Sequence, residues 1–228
     1  MSRALDELLR ELGPYLQRGE RPAEPLARFA TGLPEIDRLL GGGFPRRRLS
    51  EITGARSSGR TSLALALLAH TTGAGEACAV VDAADGFDPS SAQAAGVVLE
   101  RVLWARAPGL REALRSAERL LEAEGFGLVL LHLADRDSRT APATPATWLR
   151  LARAAAGARS GVTLVVLSLE RVAGNTAEVV LEMGTAKARF TGTPPLLEGL
   201  EAEARLVRHR SAPADRSVRV RLRTSQAA

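Results

Sequence analysis

Apolar residues recur along this chain in two rhythms. Short, nearly continuous apolar runs lie at 49–53, 78–83, 127–133, 162–168, 178–183 and 187–191, the pattern of strands buried on both faces. Between several of them, apolar positions fall at helical spacing over 34–40, 61–72, 90–95, 109–124 and 146–158. This alternation predicts an α/β fold, a mainly parallel sheet flanked by helices. The main domain is expected over 29–200, and no internal repeat stands out.

Two segments flank that domain. Residues 1–18 predict an amphipathic helix with Leu5, Leu8, Leu9 and Leu12 on one face, and 19–28 a linker carrying Gly19, Pro22 and Pro25. Such a helix either folds back on its own domain or docks on a neighbouring molecule. At the other end, 201–228 is a basic segment. Val218, Val220 and Leu222 alternate there with Arg219, Arg221 and Arg223, so a strand would carry arginines on one face and apolar residues on the other. That face is either a solvated outer surface or a basic ribbon for nucleic acid or an acidic partner. The stretch around Ser211–Asp215 is expected to be partly disordered.

Charge sharpens this division. The net charge is +5, and 201–228 holds seven arginines against three acidic residues, a balance of +4 that leaves +1 for the remaining 200 residues. Lys187 is the only lysine. The single cysteine, Cys78, excludes a disulfide within the chain and reads as a buried strand thiol. His70, His132 and His209 do not cluster with Cys78 at metal-ligand spacing, so no metal site is expected. No apolar run is long enough to span a bilayer and the N-terminus lacks a signal core, which makes the cytoplasm the expected compartment and no membrane partner expected. Trp104 and Trp148 are expected to pack in or at the edge of the core, and with aromatics at 4% the chain offers few stacking platforms for single strands.

Gly54-Ala55-Arg56-Ser57-Ser58-Gly59-Arg60-Thr61 has the spacing of a phosphate-binding loop, G-x-x-x-x-G-K-[ST], with arginine in place of lysine. It follows a predicted strand and opens a predicted helix, the context in which backbone N–H groups cradle phosphate oxygens. Candidate nucleotide-binding residues are therefore Gly54, Ser57, Ser58, Gly59, Arg60, Thr61 and Ser62, with ATP and Mg²⁺ as a weak and dispensable ligand. The alternative is a loop kept as scaffold, its Ser57, Ser58 and Thr61 capping the helix. Arginine at position 60 fits either a general drift from lysine or a lost function, since a guanidinium is larger and forked.

Three motifs in order go beyond a generic loop. They are Thr31-Gly32-Leu33-Pro34-Glu35-Ile36-Asp37-Arg38-Leu39-Leu40-Gly41-Gly42-Gly43-Phe44-Pro45, then Arg48–Gly54 leading into the loop, then Val80-Val81-Asp82-Ala83-Ala84-Asp85. Together they resemble the RecA recombinase core over residues 28–185, which implies a RecA-like α/β fold. The resemblance also implies where catalytic groups should lie, and the chain departs at those positions. Ala84 stands where RecA-like ATPases place the water-activating glutamate, with Asp85 one residue on. His132 stands where a strand-end aspartate supports the Mg²⁺-bound water. Leu169 replaces a glutamine that relays nucleotide state to DNA. The mobile Gly-rich DNA loop is reduced to Arg171–Thr176. Phosphoryl transfer rests on charge placed around metal and water, so the expectation is a pseudo-ATPase with no catalytic residues.

The short core and the degenerate positions resemble the ImuA family, RecA-like accessories of the bacterial mutagenesis cassette. That resemblance implies an adaptor in SOS-induced translesion synthesis. Its partners would be RecA and an ImuB-like inactive relative of Y-family polymerases, with at most weak DNA binding. Leu5, Leu8, Leu9 and Leu12, and Arg219, Arg221 and Arg223, are the candidate contacts. Two other functions stay open. One is an active DNA-dependent ATPase in which Arg60 and Asp85 substitute for the usual groups. The other is a DNA-binding module using the arginine-rich tail. Polar residues Asp135, Asp137 and Ser138 near His132 are expected to be an ordinary strand-exit loop.

Overall fold

In a computed structural model, which describes residues 26–133 and 143–223, nine strands form one sheet in the order β11-β10-β8-β3-β7-β6-β4-β5, with β9 paired to β10 beside that path. The parallel part consists of β3 (Leu49–Gly54), β4 (Ala77–Asp82), β5 (Val102–Arg106), β6 (Phe126–His132), β7 (Thr163–Ser168) and β8 (Val179–Met183). The antiparallel part adds β9 (Lys187–Thr191), β10 (Leu196–His209) and β11 (Arg216–Arg223). A separate ribbon pairs β1 (Arg28–Phe29) with β2 (Phe44–Pro45).

Alternation along each strand divides the core into two layers. Cys78 and Val80, Leu128 and Leu130, Val165 and Leu167 pack on one face under α1 (Pro34–Leu40) and α2 (Arg60–Gly73). Ala79 and Val81, Val129 and Leu131, Leu164 and Val166 pack on the other, under α4 (Leu110–Glu122) and α5 (Pro145–Gly157). The central strands are buried on both faces, which is why they read as unbroken apolar runs. Burial also pushes the Cys78 thiol up to about 12, so it is an inert core residue at neutral pH. Among the described residues no helix is long and apolar enough to cross a membrane.

The helices begin and end where local chemistry directs. Pro34 opens α1, and Gly41 closes it in the left-handed region, its N–H and that of Gly42 returning to the carbonyls of Arg38 and Asp37. Asp88 caps α3 (Pro89–Ala94) by accepting from the Ser91 N–H at 2.8 Å. Thr144 caps α5 through the Thr147 N–H.

Three expectations change. The edge strand β5 was not predicted, because Val102-Leu103-Trp104-Ala105-Arg106 is only half buried and its pattern is weak. The expected boundary at 200 falls inside β10, and the segment beyond it belongs to the main sheet, with Ala202, Ala204 and Leu206 facing the core. Those apolar positions are mostly alanines alternating with glutamates, a faint signal. Nor is the stretch around Ser211–Asp215 disordered: it is a turn in which the Asp215 N–H donates to the Leu206 carbonyl at 2.7 Å and Asp215 pairs with Arg205. The expected helix of 1–18 with Leu5, Leu8, Leu9 and Leu12, the linker up to residue 25, and Asp135, Asp137 and Ser138 lie outside the described residues.

Candidate functional site

The loop Gly54–Thr61 joins the C-terminal end of β3 to α2, as its spacing predicts. Gly54, Ser57 and Gly59 have φ of 153°, 60° and 83°, a run of unusual backbone that turns the chain tightly into the helix. The Gly54 N–H donates to the Leu169 carbonyl at 3.2 Å and the Ala186 N–H to the Ser57 carbonyl at 3.2 Å, so the loop is tied to the ends of β7 and β8. N–H groups in the first turn of any helix point out along the axis without an intrahelical acceptor. The anion-binding frame is therefore present.

Its side chains are disposed less conventionally. Arg60 is only 5% exposed and donates from Nη1 to the Gly54 carbonyl, so its guanidinium is turned into the loop's own backbone. Ser58 is buried, whereas Ser57 and Thr61 are exposed and Ser62 is half-buried. The expectation that Ser57, Ser58 and Thr61 cap the helix is corrected: Gly59 occupies the cap position and no side chain hydrogen-bonds there.

Beside the loop, β4 and β6 end side by side, with Asp82 opposite His132 in register. Asp82 is fully buried, and its Oδ1 lies 3.2 Å from His132 Nδ1. The same carboxylate accepts from the backbone N–H of Ala84 at 3.1 Å and of Phe87 at 2.8 Å, and Gly86 contributes another N–H. Burial works against ionisation, but the His132 hydrogen bond and these N–H groups outweigh it and hold the Asp82 carboxyl well below the usual range. An ionised carboxylate only accepts, so His132 Nδ1 carries a proton; the ring's Nε2 is buried with no partner among the described residues. Asp85, one residue beyond Ala84, is exposed and pairs with Arg106 at 2.7 Å. Leu169 is partly exposed at the end of β7, and its contribution to the site is the carbonyl that receives Gly54.

Mg²⁺ takes oxygen ligands in a near-octahedral array. Of the groups here, Thr61 offers a hydroxyl, Ala84 offers nothing, and His132 offers nitrogen. Asp82 already accepts from the Ala84 and Phe87 N–H groups and faces His132 Nδ1 at 3.2 Å. Ala84 and His132 bring no oxygen ligand, while the Thr61 and Ser91 hydroxyls and the Asp88 carboxylate line the cavity beside His132. Among the described residues no group of three or more His, Cys, Asp or Glu is placed to hold any metal.

Two features escaped the sequence reading. His132 stands alone in the sequence, and its pairing with Asp82 depends on β4 and β6 ending side by side. Glu51, a lone carboxylate inside an apolar strand, is fully buried and accepts from the Val172 and Ala173 N–H groups at 2.7 and 2.9 Å. It pins the short β7–β8 connection to the middle of β3. The arginine face of β11 is a mixed one. Glu201 on β10 lies 3.3 Å from Arg219, 3.9 Å from Arg221 and 3.2 Å from Arg189. Arg223 is paired through its backbone with Gly199.

Comparison with known proteins agrees with this architecture. Residues 1–141 match the RecA N-terminal domain family. Protein RecA of Rubrobacter xylanophilus is 34% identical over 137 residues, 57% of this chain and 40% of that protein. Protein RecA of Streptomyces avermitilis is 33% identical over 136 residues, 57% of this chain and 36% of that protein. The chain thus spans about two fifths of the length of these relatives or less. The crystal structure of the RadB recombinase superposes with a TM-score of 0.68 at 23% identity, covering 86% of this chain and 96% of that one, a likeness of fold.

Proposed function

This chain belongs to the RecA N-terminal domain family, and from that premise we propose that it is a non-hydrolysing RecA-like accessory, an adaptor in SOS-induced DNA damage tolerance. One observation carries the proposal: the strand ends that should present a water-activating glutamate and a metal-supporting aspartate present Ala84 and a His132 locked to Asp82. Hydrolysis of a phosphoanhydride depends on charge placed around metal and water, and neither is provided for. The β7–β8 connection, clamped by Glu51, supports the same reading, because it leaves no long mobile loop to engage DNA. Similarity in profile to the ImuA family names the partners: RecA and an ImuB-like inactive polymerase relative, met in the cytoplasm through protein contacts, with no cofactor required.

The test is turnover of ATP with Mg²⁺, with and without single-stranded DNA, together with co-purification with RecA and the ImuB-like protein. Turnover at background, and protein binding that weakens when residues 1–22 are removed, are expected. DNA-stimulated turnover would restore the recombinase-like ATPase. The DNA-module alternative is tested by substitution, because β11 is a strand of the main sheet. Steeply salt-dependent DNA affinity lost in Arg219→Ala/Arg221→Ala would favour it.

A further inference from the structure

β9 stands apart from the rest of the sheet. It continues the line of β8 along β10, since Met183 lies opposite Ala204 and Lys187 opposite Glu201. β3 flanks the other side of β8 as far as the pair Gly54 and Met183, where it turns off into the phosphate loop. Beyond that point the Ser57 carbonyl takes the Ala186 N–H, and among the described residues β9 pairs with β10 alone. All five residues of β9 are exposed. Its outer edge therefore offers a row of backbone donors and acceptors. The two faces of this arm differ. Arg189 reaches Glu201 at 3.2 Å, which places Lys187 and Arg189 on the face of Arg219 and Arg221. Lys187, Arg189, Arg219 and Arg221 outnumber Glu201 and Glu203 there by two, and Lys187 has no ion pair among the described residues. Alternation puts Ala188 and Phe190 on the other face, in line with Leu200, which packs against the core. There the apolar layer runs out into solvent: Phe190 is 61% exposed and Leu197, opposite it, 46%.

We infer that the open edge of β9 receives an extended peptide segment of a partner protein as an added strand, with side chains that alternate acidic and apolar. Main-chain hydrogen bonds give such a segment its affinity, and the two faces of the arm give it selectivity. A strand continuing the sheet sets every second side chain beside Lys187 and Arg189, where carboxylates fit. The others fall beside Ala188 and Phe190, where apolar groups fit. Other occupants match less of this edge. A second copy pairing through its own β9 would gather the Lys187 and Arg189 charges of both copies on one face. A phosphodiester backbone offers acceptors only and leaves the edge carbonyls unmet. The inference rests on the adaptor reading for the existence of a protein partner, and it names where that partner attaches and by what pattern.

The test titrates the full chain with a fluorescent peptide of about eight residues in which glutamate and valine alternate. Saturable binding is expected, with slowed hydrogen exchange at the backbone amides of 187–191. A peptide with lysine in place of glutamate should bind about tenfold more weakly or worse, and so should one with a central proline, which cannot complete a strand. Equal binding of the lysine peptide overturns the charge assignment, and equal binding of the proline peptide overturns strand addition. No binding of the glutamate–valine peptide at about 1 mM overturns the inference, as does protection that arises elsewhere in the chain. In the protein, Lys187→Glu/Arg189→Glu should weaken binding about tenfold while thermal melting checks the fold. If that variant fails to fold, the peptide series on the unaltered protein decides. Displacement of the peptide by single-stranded DNA, or a dimer in sedimentation that the peptide dissociates, would assign the edge to another occupant and overturn the inference. ATP turnover is scored in the same samples: hydrolysis would overturn the non-hydrolysing reading, whereas failure of the peptide to bind would overturn this inference alone.

Discussion

The phosphate loop and the strand ends beside it differ in what their residues owe to the fold. A Cβ on Gly54 would come within 2.6 Å of the Met183 carbonyl oxygen, and one on Gly59 within 2.7 Å of Leu222 Cδ1. Gly54 is demanded by the packing of the loop against the β8 backbone, and Gly59 by its φ of 83°, whether or not a phosphate ever binds. Ala84 is half-buried at the start of a loop, and another side chain there disturbs little. A phosphate-loop pattern in this architecture is therefore partly a folding signature, and its persistence says little about turnover. The side chains at the strand ends carry the chemical information.

Asp82 tests that division most severely, since it belongs to both categories. Asp82→Ala strips the acceptor from His132 and from the turn N–H groups, and should cost about 4 kcal/mol in denaturant unfolding. A cost under about 1 kcal/mol would mean that the pair is not a structural unit. Gly54→Ala comes next, at about 3 kcal/mol from left-handed strain and overpacking against backbone. If Gly54→Ala folds unimpaired and loses only phosphate binding, the comparison fails, because the glycine is then held for the ligand.

How much of this was legible in the sequence follows the same division. The parallel strands and their helices could be read because burial on both faces leaves apolar runs such as Leu128–Leu131, and because Pro34, Gly41 and Asp88 mark helix ends. The antiparallel extension was half visible. Val218, Val220 and Leu222 announced β11, while Ala202 and Ala204 between glutamates hid β10. In the site, the loop and the altered positions Arg60, Ala84, His132 and Leu169 were visible one by one. Their relations were not: Asp82 with His132 and Glu51 with Val172 are contacts between residues distant in sequence, fixed only when strand order is known, and the turn of Arg60 onto the Gly54 carbonyl is set by the loop's own backbone.

A smaller effect separates the two halves of the sheet by pH. His209 ends β10, where burial first, then Arg28 and Arg216, lower its pKa against the opposing pull of Glu178. The folded state therefore resists a proton that the unfolded chain accepts as pH falls through about 6.5. Stability from this group is full above that pH and declines below it, until the folded imidazole itself titrates. Asp82 behaves differently: its contribution is full above about pH 3.9 and is lost only in stronger acid, as pH falls through its depressed folded value. Melting from about pH 7 to pH 5 should thus show a shallow decline that His209→Gln flattens and that owes little to Asp82. Stability rising as pH falls over that range would contradict the assignment.

The smallest expected effect bears most directly on the strand ends. Ala84→Glu returns a carboxylate to a half-buried loop position and should alter stability by no more than about 0.5 kcal/mol. It should also leave ATP turnover at background, because one added carboxylate does not restore an acidic group at position 132, where His132 stays paired with Asp82. His132→Asp frees Asp82 from the ring and adds a carboxylate at the second strand end. Turnover emerging in the double variant and in neither single one would locate the loss of function in the pair of strand ends. Turnover already present in Ala84→Glu alone would mean that the Asp82–His132 pair is no barrier to the metal, and that one missing carboxylate accounts for the silence of an otherwise competent loop.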